Sequence, residues 1–152
     1  MRLWVMRHGA AELRAERDAD RRLSAAGREE VRVMAGRFAE MLPQRLLCSP
    51  YLRTRQTVQV LQEALPGLPP AQQVDWLTPD TDPDAVLLQL CALEAQDTLL
   101  VSHQPLSGLL ISLLIEGNRR GRYPMPTAAL ASLDCELPAS GAARLLGLDW
   151  PE

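Results

Sequence analysis

The chain has no lysine: its 16 basic side chains are all arginine, against 19 acidic ones, for a formal net charge of -3. Such a balance excludes a protein that grips a nucleic-acid backbone by bulk positive charge. Genome composition is the simpler explanation of the arginine bias, although arginine is also the better bidentate ligand for phosphate. Cysteine is scarce as well. Cys48, Cys91 and Cys135 form no CxxC pair and are odd in number, which excludes a disulfide framework and a zinc ribbon. Each lies in an apolar run and is expected in the core. Neither GxxxxGK[ST] nor GxGxxG occurs, so a nucleotide-driven reaction is not indicated. With 2 histidines in the whole chain and no His or Cys pair at ligand spacing, no metal and no cofactor is expected. The longest apolar segment, Leu106 to Ile115, is interrupted by Ser107, Gly108 and Ser112 and is too short to cross a bilayer. The opening MRLWVMRHG offers neither a cationic leader nor a small-residue cleavage site. A soluble, reduced, cytoplasmic protein is the expectation, with no membrane and no nucleic acid among its partners.

What is present is the composition of a globular protein, 152 residues of which 47% are apolar and 23% charged. One domain over residues 1–152 is expected, without linker, repeat or low-complexity tract. Arg2 to Met6 reads as a buried strand running into Arg7, His8 and Gly9. Residues 10–22 are charged and aperiodic. Ser24 then caps a helix whose apolar positions Val31, Met34, Ala35, Phe38, Met41 and Leu42 recur at helical spacing up to Pro43. Leu46 to Cys48 is a second strand; Ser49 as N-cap and Pro50 at the first helical position open a helix to Leu65. Gln72 to Trp76 reads as a short strand. Asp82-Pro83 repeats the cap signal before a helix to about Ala95. Thr98 to Val101 is the next strand, and Ser102 to Pro105 open a helix that runs to Glu116 and stops at Gly117. Residues 118–127 form a polar loop. Runs 128–135 and 142–148 read as strands that pair as an edge hairpin.

Strands alternating with helices imply an α/β fold, an open, mostly parallel sheet with helices on both faces. Ligands in such sheets bind beyond the carboxyl ends of the strands. Both histidines fall there, each directly after a strand. Together with Arg7, Arg21 and Arg55, His8 and His103 describe a cleft that grips an anion on several oxygens, most naturally a phosphoryl group.

Three motifs in order carry a resemblance: Arg7-His8-Gly9, the run Ser49-Pro50-Tyr51-Leu52-Arg53-Thr54-Arg55-Gln56-Thr57, and Ser102-His103 after a later strand. The chain resembles the histidine phosphatase superfamily, the phosphoglycerate mutase-like proteins, whose members carry RHG, SPxxRxxQT and a late strand ending in His. Its short length, Arg7 to Ala11 as RHGxA, and Arg21 to Gly27 against the pattern RPLTxxG are similar to the small phosphohistidine phosphatases of the SixA type. Arg22 departs from the usual Pro and Ala10 from the acidic residue often found after RHG. The larger mutase-like members add a helical segment with a proton-donating Glu, and no LxExxxG stands between Leu65 and Asp84. Asp80, Asp82 and Asp84 lie close together in that stretch, and Asp82 is more simply a helix cap.

The resemblance implies a phosphoric monoester or phosphoramidate hydrolase with His8 as nucleophile and Arg7, Arg55, Arg21 and His103 on the phosphoryl oxygens. Ser102 and Gln104 stand at the helix start beside His103, where free N–H groups favour an anion. Arg53 is two residues from Arg55, about 200° around a helix, so the two cannot share a face, and Arg53 is expected in solvent. Arg119, Arg120 and Arg122 form a basic loop, solvated or facing an acidic protein partner. The implied substrate is a phosphohistidine-bearing signalling or phosphotransfer protein. A small phosphate ester, or a binding module that holds a phosphorylated ligand without turnover, are the alternatives; an intact His8 speaks against the last.

Overall fold

The computed structural model describes residues 1–38 and 40–152. Its elements are β1 (Arg2–Arg7), α1 (Ala25–Ala35), β2 (Arg45–Cys48), α2 (Leu52–Ala64), β3 (Ala71–Gln73), α3 (Pro83–Cys91), β4 (Thr98–Ser102), α4 (Leu106–Glu116), β5 (Leu130–Asp134) and β6 (Arg144–Asp149). They build one sheet in the order β3-β2-β4-β1-β5-β6. The first four strands run parallel, whereas β5 is antiparallel to β1 and pairs with β6 as the edge hairpin. This is the α/β sheet the alternation of elements predicts.

Period-two alternation within fully apolar strands supplies both faces at once. Leu3 and Val5 of β1 and Leu100 of β4 pack with Val86, Leu90, Leu110 and Leu114 of α3 and α4. Trp4 and Met6, with Leu99 and Val101, face the opposite way onto Val31, Met34, Val58 and Leu61 of α1 and α2. Helix α4, which follows β4, therefore covers the face opposite the helices that follow its neighbours β1 and β2. The carboxyl ends of these three strands thus meet where successive connections diverge, the place at which open α/β sheets form their binding crevice.

Several boundaries fall short of the sequence reading. The helix from Ser24 ends at Ala35 and tightens into a 3-10 turn, Gly36–Phe38. Met41 and Leu42 are exposed, so the apolar period continues past the last residue that faces the core. The strand expected at 72–76 shrinks to the edge strand β3, with Asp75–Leu77 in a 3-10 turn. Helix α3 stops at Cys91 rather than Ala95. Cys91 is exposed, unlike the buried Cys48 and Cys135, because it lies one position and about 100° beyond Leu90, the last residue of α3 in the core. Asp82 does cap α3, accepting from the Asp84 N–H at 2.8 Å. Gly117 closes α4 in the left-handed conformation at φ 74°. No described helix is long and apolar enough to cross a membrane.

Candidate active site

Parallel pairing brings the three strand ends into one crevice. The His8 N–H donates to Ser102 O at 3.1 Å, and the Ser49 N–H donates to Val101 O at 3.2 Å. The rings of His8 and His103 meet edge to face, centroids 5.2 Å apart, and Tyr51 lies edge-on to His103 at 4.9 Å. The structure thus gathers both histidines. His8 Nδ1 lies 2.7 Å from the Gly9 carbonyl oxygen, which can only accept, so the ring hydrogen sits on Nδ1 and the lone pair on Nε2. Burial pushes the His8 imidazole down to about 4; the Gly9 carbonyl opposes this and Arg53, Arg7 and Arg21 add to it. His103 is lowered further, to about 2, first by burial and then by His8 and Arg53. Both rings are neutral in the free protein.

The guanidinium against the His8 lone pair belongs to Arg53. Its Nε lies 3.3 Å from His8 Nε2, its Nη1 donates to Asp18 O at 2.7 Å, and its Nη2 pairs with Asp18 Oδ2 at 3.0 Å. Arg53 is only 4% exposed and lies over the Tyr51 ring. Arg55 is exposed instead, its Nε donating to Pro50 O at 3.0 Å. The wheel argument that the two cannot share a face holds, but it selects the opposite residue: Arg53 is the buried member. Two signals in the sequence point there. Arg53 occupies the Arg position of SPxxR, and it shares a helix face with Gln56 and Thr57, three and four residues on.

That polar face of α2 supports the loops around His8. Thr57 Oγ1 accepts from the Gly9 N–H at 3.1 Å, and Gln56 Oε1 accepts from the Leu23 N–H at 2.8 Å. Glu30 of α1 accepts from the Ala10 N–H at 2.8 Å and from the Thr127 hydroxyl at 3.0 Å. Gly9 and Gly27 allow the loop and α1 to touch backbone to backbone. A Cβ on Gly9 would sit 2.6 Å from Gly27 O and 2.9 Å from Val31 Cγ2, and one on Gly27 would run into the Ala10 carbonyl. Ala128, at φ 61°, gives its N–H to His8 O at 2.8 Å, a strained backbone next to the site.

The other arginines differ in their freedom. Arg7 Nη1 donates to Met125 O at 3.1 Å, while its Nε is buried without a partner among the described residues. Arg21 donates from Nε to Glu12 O at 2.8 Å and pairs through Nη1 with Asp18 Oδ1 at 3.0 Å. Asp18, in the charged segment that offers no sequence pattern, bridges Arg21 and Arg53. Partial burial opposes its ionisation, but hydrogen bonds from Arg21 and Arg53 outweigh that and hold the carboxyl below the ordinary carboxylate range.

Two expected oxygen-binding side chains are engaged elsewhere. The Ser102 hydroxyl donates to Leu77 O at 2.7 Å, and Gln104 Oε1 accepts from the Gly108 N–H at 2.8 Å, capping α4. Ser49 does not cap α2, which begins at Leu52 with Tyr51 as its N-cap residue; its hydroxyl meets the Tyr51 N–H at 3.2 Å and His103 Nε2 at 2.8 Å. In the basic loop, Arg119 pairs with Asp82 at 2.6 Å and also with Asp84. The Asp84 N–H and Arg119 together hold the Asp82 carboxyl below the ordinary carboxylate range.

Comparison with known proteins agrees with this architecture. The model of the histidine phosphatase superfamily (branch 1) matches residues 3–77. The chain is 34% identical to the phosphohistidine phosphatase SixA of Escherichia coli K12 over 148 residues, covering 93% of this chain and 89% of that one. It is 32% identical to an uncharacterised protein of Picosynechococcus over 95% of this chain and 88% of the relative. A solved structure of the protein histidine phosphatase SixA complexed with tungstate superposes with a TM-score of 0.86 at 33% identity, covering 99% of this chain and 97% of the other. With its RHG strand end, its SPxxR helix and its late His in one crevice, the chain belongs to the histidine phosphatase superfamily.

Proposed function

We propose that the protein is a metal-independent phosphatase that acts through a phosphohistidine on His8, and that its substrate is phosphohistidine in a signalling or phosphotransfer protein. The observation that carries the reading is the lone pair of His8 Nε2, fixed by the Gly9 carbonyl and flanked by Arg53. In the first step Nε2 forms a bond to phosphorus as the bond to the leaving group breaks. Arg53, Arg7, Arg21 and His103 oppose the charge on the phosphoryl oxygens. In the second step a water oxygen takes the phosphoryl, the N–P bond returns its electron pair to His8, and inorganic phosphate leaves. Positive charge from side chains stands where a cation would otherwise stand.

The choice of substrate rests on proton donors. Asp18 is the carboxylate that the cleft arginines bind, and they hold it ionised, while Asp82 and Asp84 are taken by Arg119. Asp80 is exposed to solvent, and with no protonated carboxyl held against the leaving group, expulsion of an alkoxide keeps its high barrier. A phosphohistidine protonated on its ring expels neutral imidazole, whose conjugate acid has a pKa of about 6.5, and needs no such acid. The phosphohistidine substrate of the 34% identical relative supports the same choice. The test compares kcat/KM on a phosphohistidine protein, an aryl phosphate and a glycerate or sugar phosphate, with and without EDTA. The first two should be turned over far faster than the alkyl ester, and EDTA should change nothing. Equal rates on the alkyl ester would move the assignment to a small-molecule phosphatase, and loss in EDTA restored by Mg²⁺ would overturn metal independence.

A further inference from the structure

The two histidines of the crevice use opposite ring nitrogens for support. His8 is held through Nδ1, by a backbone carbonyl; His103 is held through Nε2, by the Ser49 hydroxyl. Ser49 is fully buried and His103 is 1% exposed, so the protein groups they touch weigh heavily in settling the protons. The Ser49 oxygen already accepts from the Tyr51 N–H. Its own hydrogen has one acceptor in reach among the described residues, His103 Nε2. If Nε2 instead carried the ring hydrogen, the serine hydrogen and the Nδ1 lone pair would both be left without partners. With the hydrogen on Nδ1 a single group is left over, and it is the buried Nδ1 that has no partner among the described residues. A leftover N–H donor in a cleft lined by Arg7 and Arg53 suits an oxyanion; a leftover lone pair would repel one.

We propose that Ser49 is a positioning residue that fixes the tautomer of His103, giving its proton to Nε2 so that Nδ1–H is the donor to the phosphoryl oxygen. The assignment rests on the phosphatase reading of the cleft but not on which substrate it takes. It explains why a serine that looks like a helix cap is not used as one.

Nitrogen-15 spectra of the histidine rings test it, with His103 assigned by its loss in His103→Asn. In the free wild-type protein at neutral pH, Nδ1 of His103 should have the shift of a protonated ring nitrogen and Nε2 that of an unprotonated one, and tungstate should move the Nδ1 signal. Ser49→Ala should shift the tautomer toward Nε2–H and lower kcat on an aryl phosphate about tenfold, the value of one hydrogen bond. Ser49→Thr should restore both. A wild-type ring protonated on Nε2, or a folded Ser49→Ala enzyme with the wild-type rate and tautomer, would overturn the proposal. Should the variants not fold, the wild-type spectrum alone decides. If phosphohistidine protein is not turned over while the aryl phosphate is and the spectrum stands, the substrate reading has failed and this one has not.

Discussion

At the end of the sheet where the parallel strands begin, polar groups close on one another. The Met1 ammonium donates to Cys135 O at 2.6 Å and the Arg2 N–H to Asp97 Oδ1 at 2.7 Å, while Asp97 O accepts from the Gln44 and Arg45 N–H groups. At the carboxyl end of the same strands, Arg7 Nε and His103 Nδ1 are buried without partners among the described residues, burial lowers the pKa of two imidazoles, and Ala128 holds a strained backbone. One orphan exists at the closed end too, Arg2 Nε, but that guanidinium lies along the Trp4 ring. Unsatisfied buried donors cost about 1–3 kcal/mol each, so a fold keeps them where something else completes them. The contrast separates a supporting end from a working end within one sheet.

The sharpest way to break that contrast is at His8, the proposed nucleophile. His8→Ala should lower turnover on the order of 10⁴-fold or more, while a phosphate analogue such as tungstate still binds. Quenching the wild-type reaction at alkaline pH should trap phosphoryl label on His8, and turnover without label would end the covalent mechanism. Arg53→Ala should cost roughly 10²–10³-fold in kcat, the scale of one oxyanion donor. Arg55→Ala, on the exposed side of the same helix, should stay within about twofold. A reversal of these two would return the cage to the assignment made on the sequence.

The strands announced themselves because their residues are apolar on both faces, and Ser24, Asp82 and Gly117 marked helix ends by chemistry that is local to a few residues. The crevice was legible for the same reason, since His8 and His103 follow directly on strands. Arg53 was legible only through its place in SPxxR and its polar neighbours Gln56 and Thr57, because which side of α2 faces the sheet depends on how the helix docks and that inward face carries no apolar stripe at those positions. Asp18 left no periodic trace at all; it matters through Arg21, its near neighbour in sequence, and through Arg53 of α2, a contact that only the fold creates.

A milder perturbation is pH. His8 must be neutral to attack, so kcat/KM, corrected for ionisation of the substrate, should stay level down to about pH 5 and fall as the pH passes through about 4. An ordinary imidazole would place that limb near about 6.5. Stability shares the sign: between those values the unfolded chain binds protons that folded His8 does not, so stability is full above the unfolded value and declines as pH falls toward the folded one. Urea midpoints across that range check it. The smallest effect belongs to the closed end, where Asp97→Ala should lower stability by about 1 kcal/mol and leave kcat unchanged. A clear loss of kcat there would erase the distinction between the two ends.

The backbone contact between Gly9 and Gly27 has a bearing on how such an enzyme can change over generations. No side chain mediates it, so no substitution at a neighbouring position can absorb an added methyl group. Variation is therefore absorbed more easily at the exposed Arg120 and Arg122, which lie clear of the Met125 and Thr127 contacts to Arg7 and Glu30, than in the segment between those glycines.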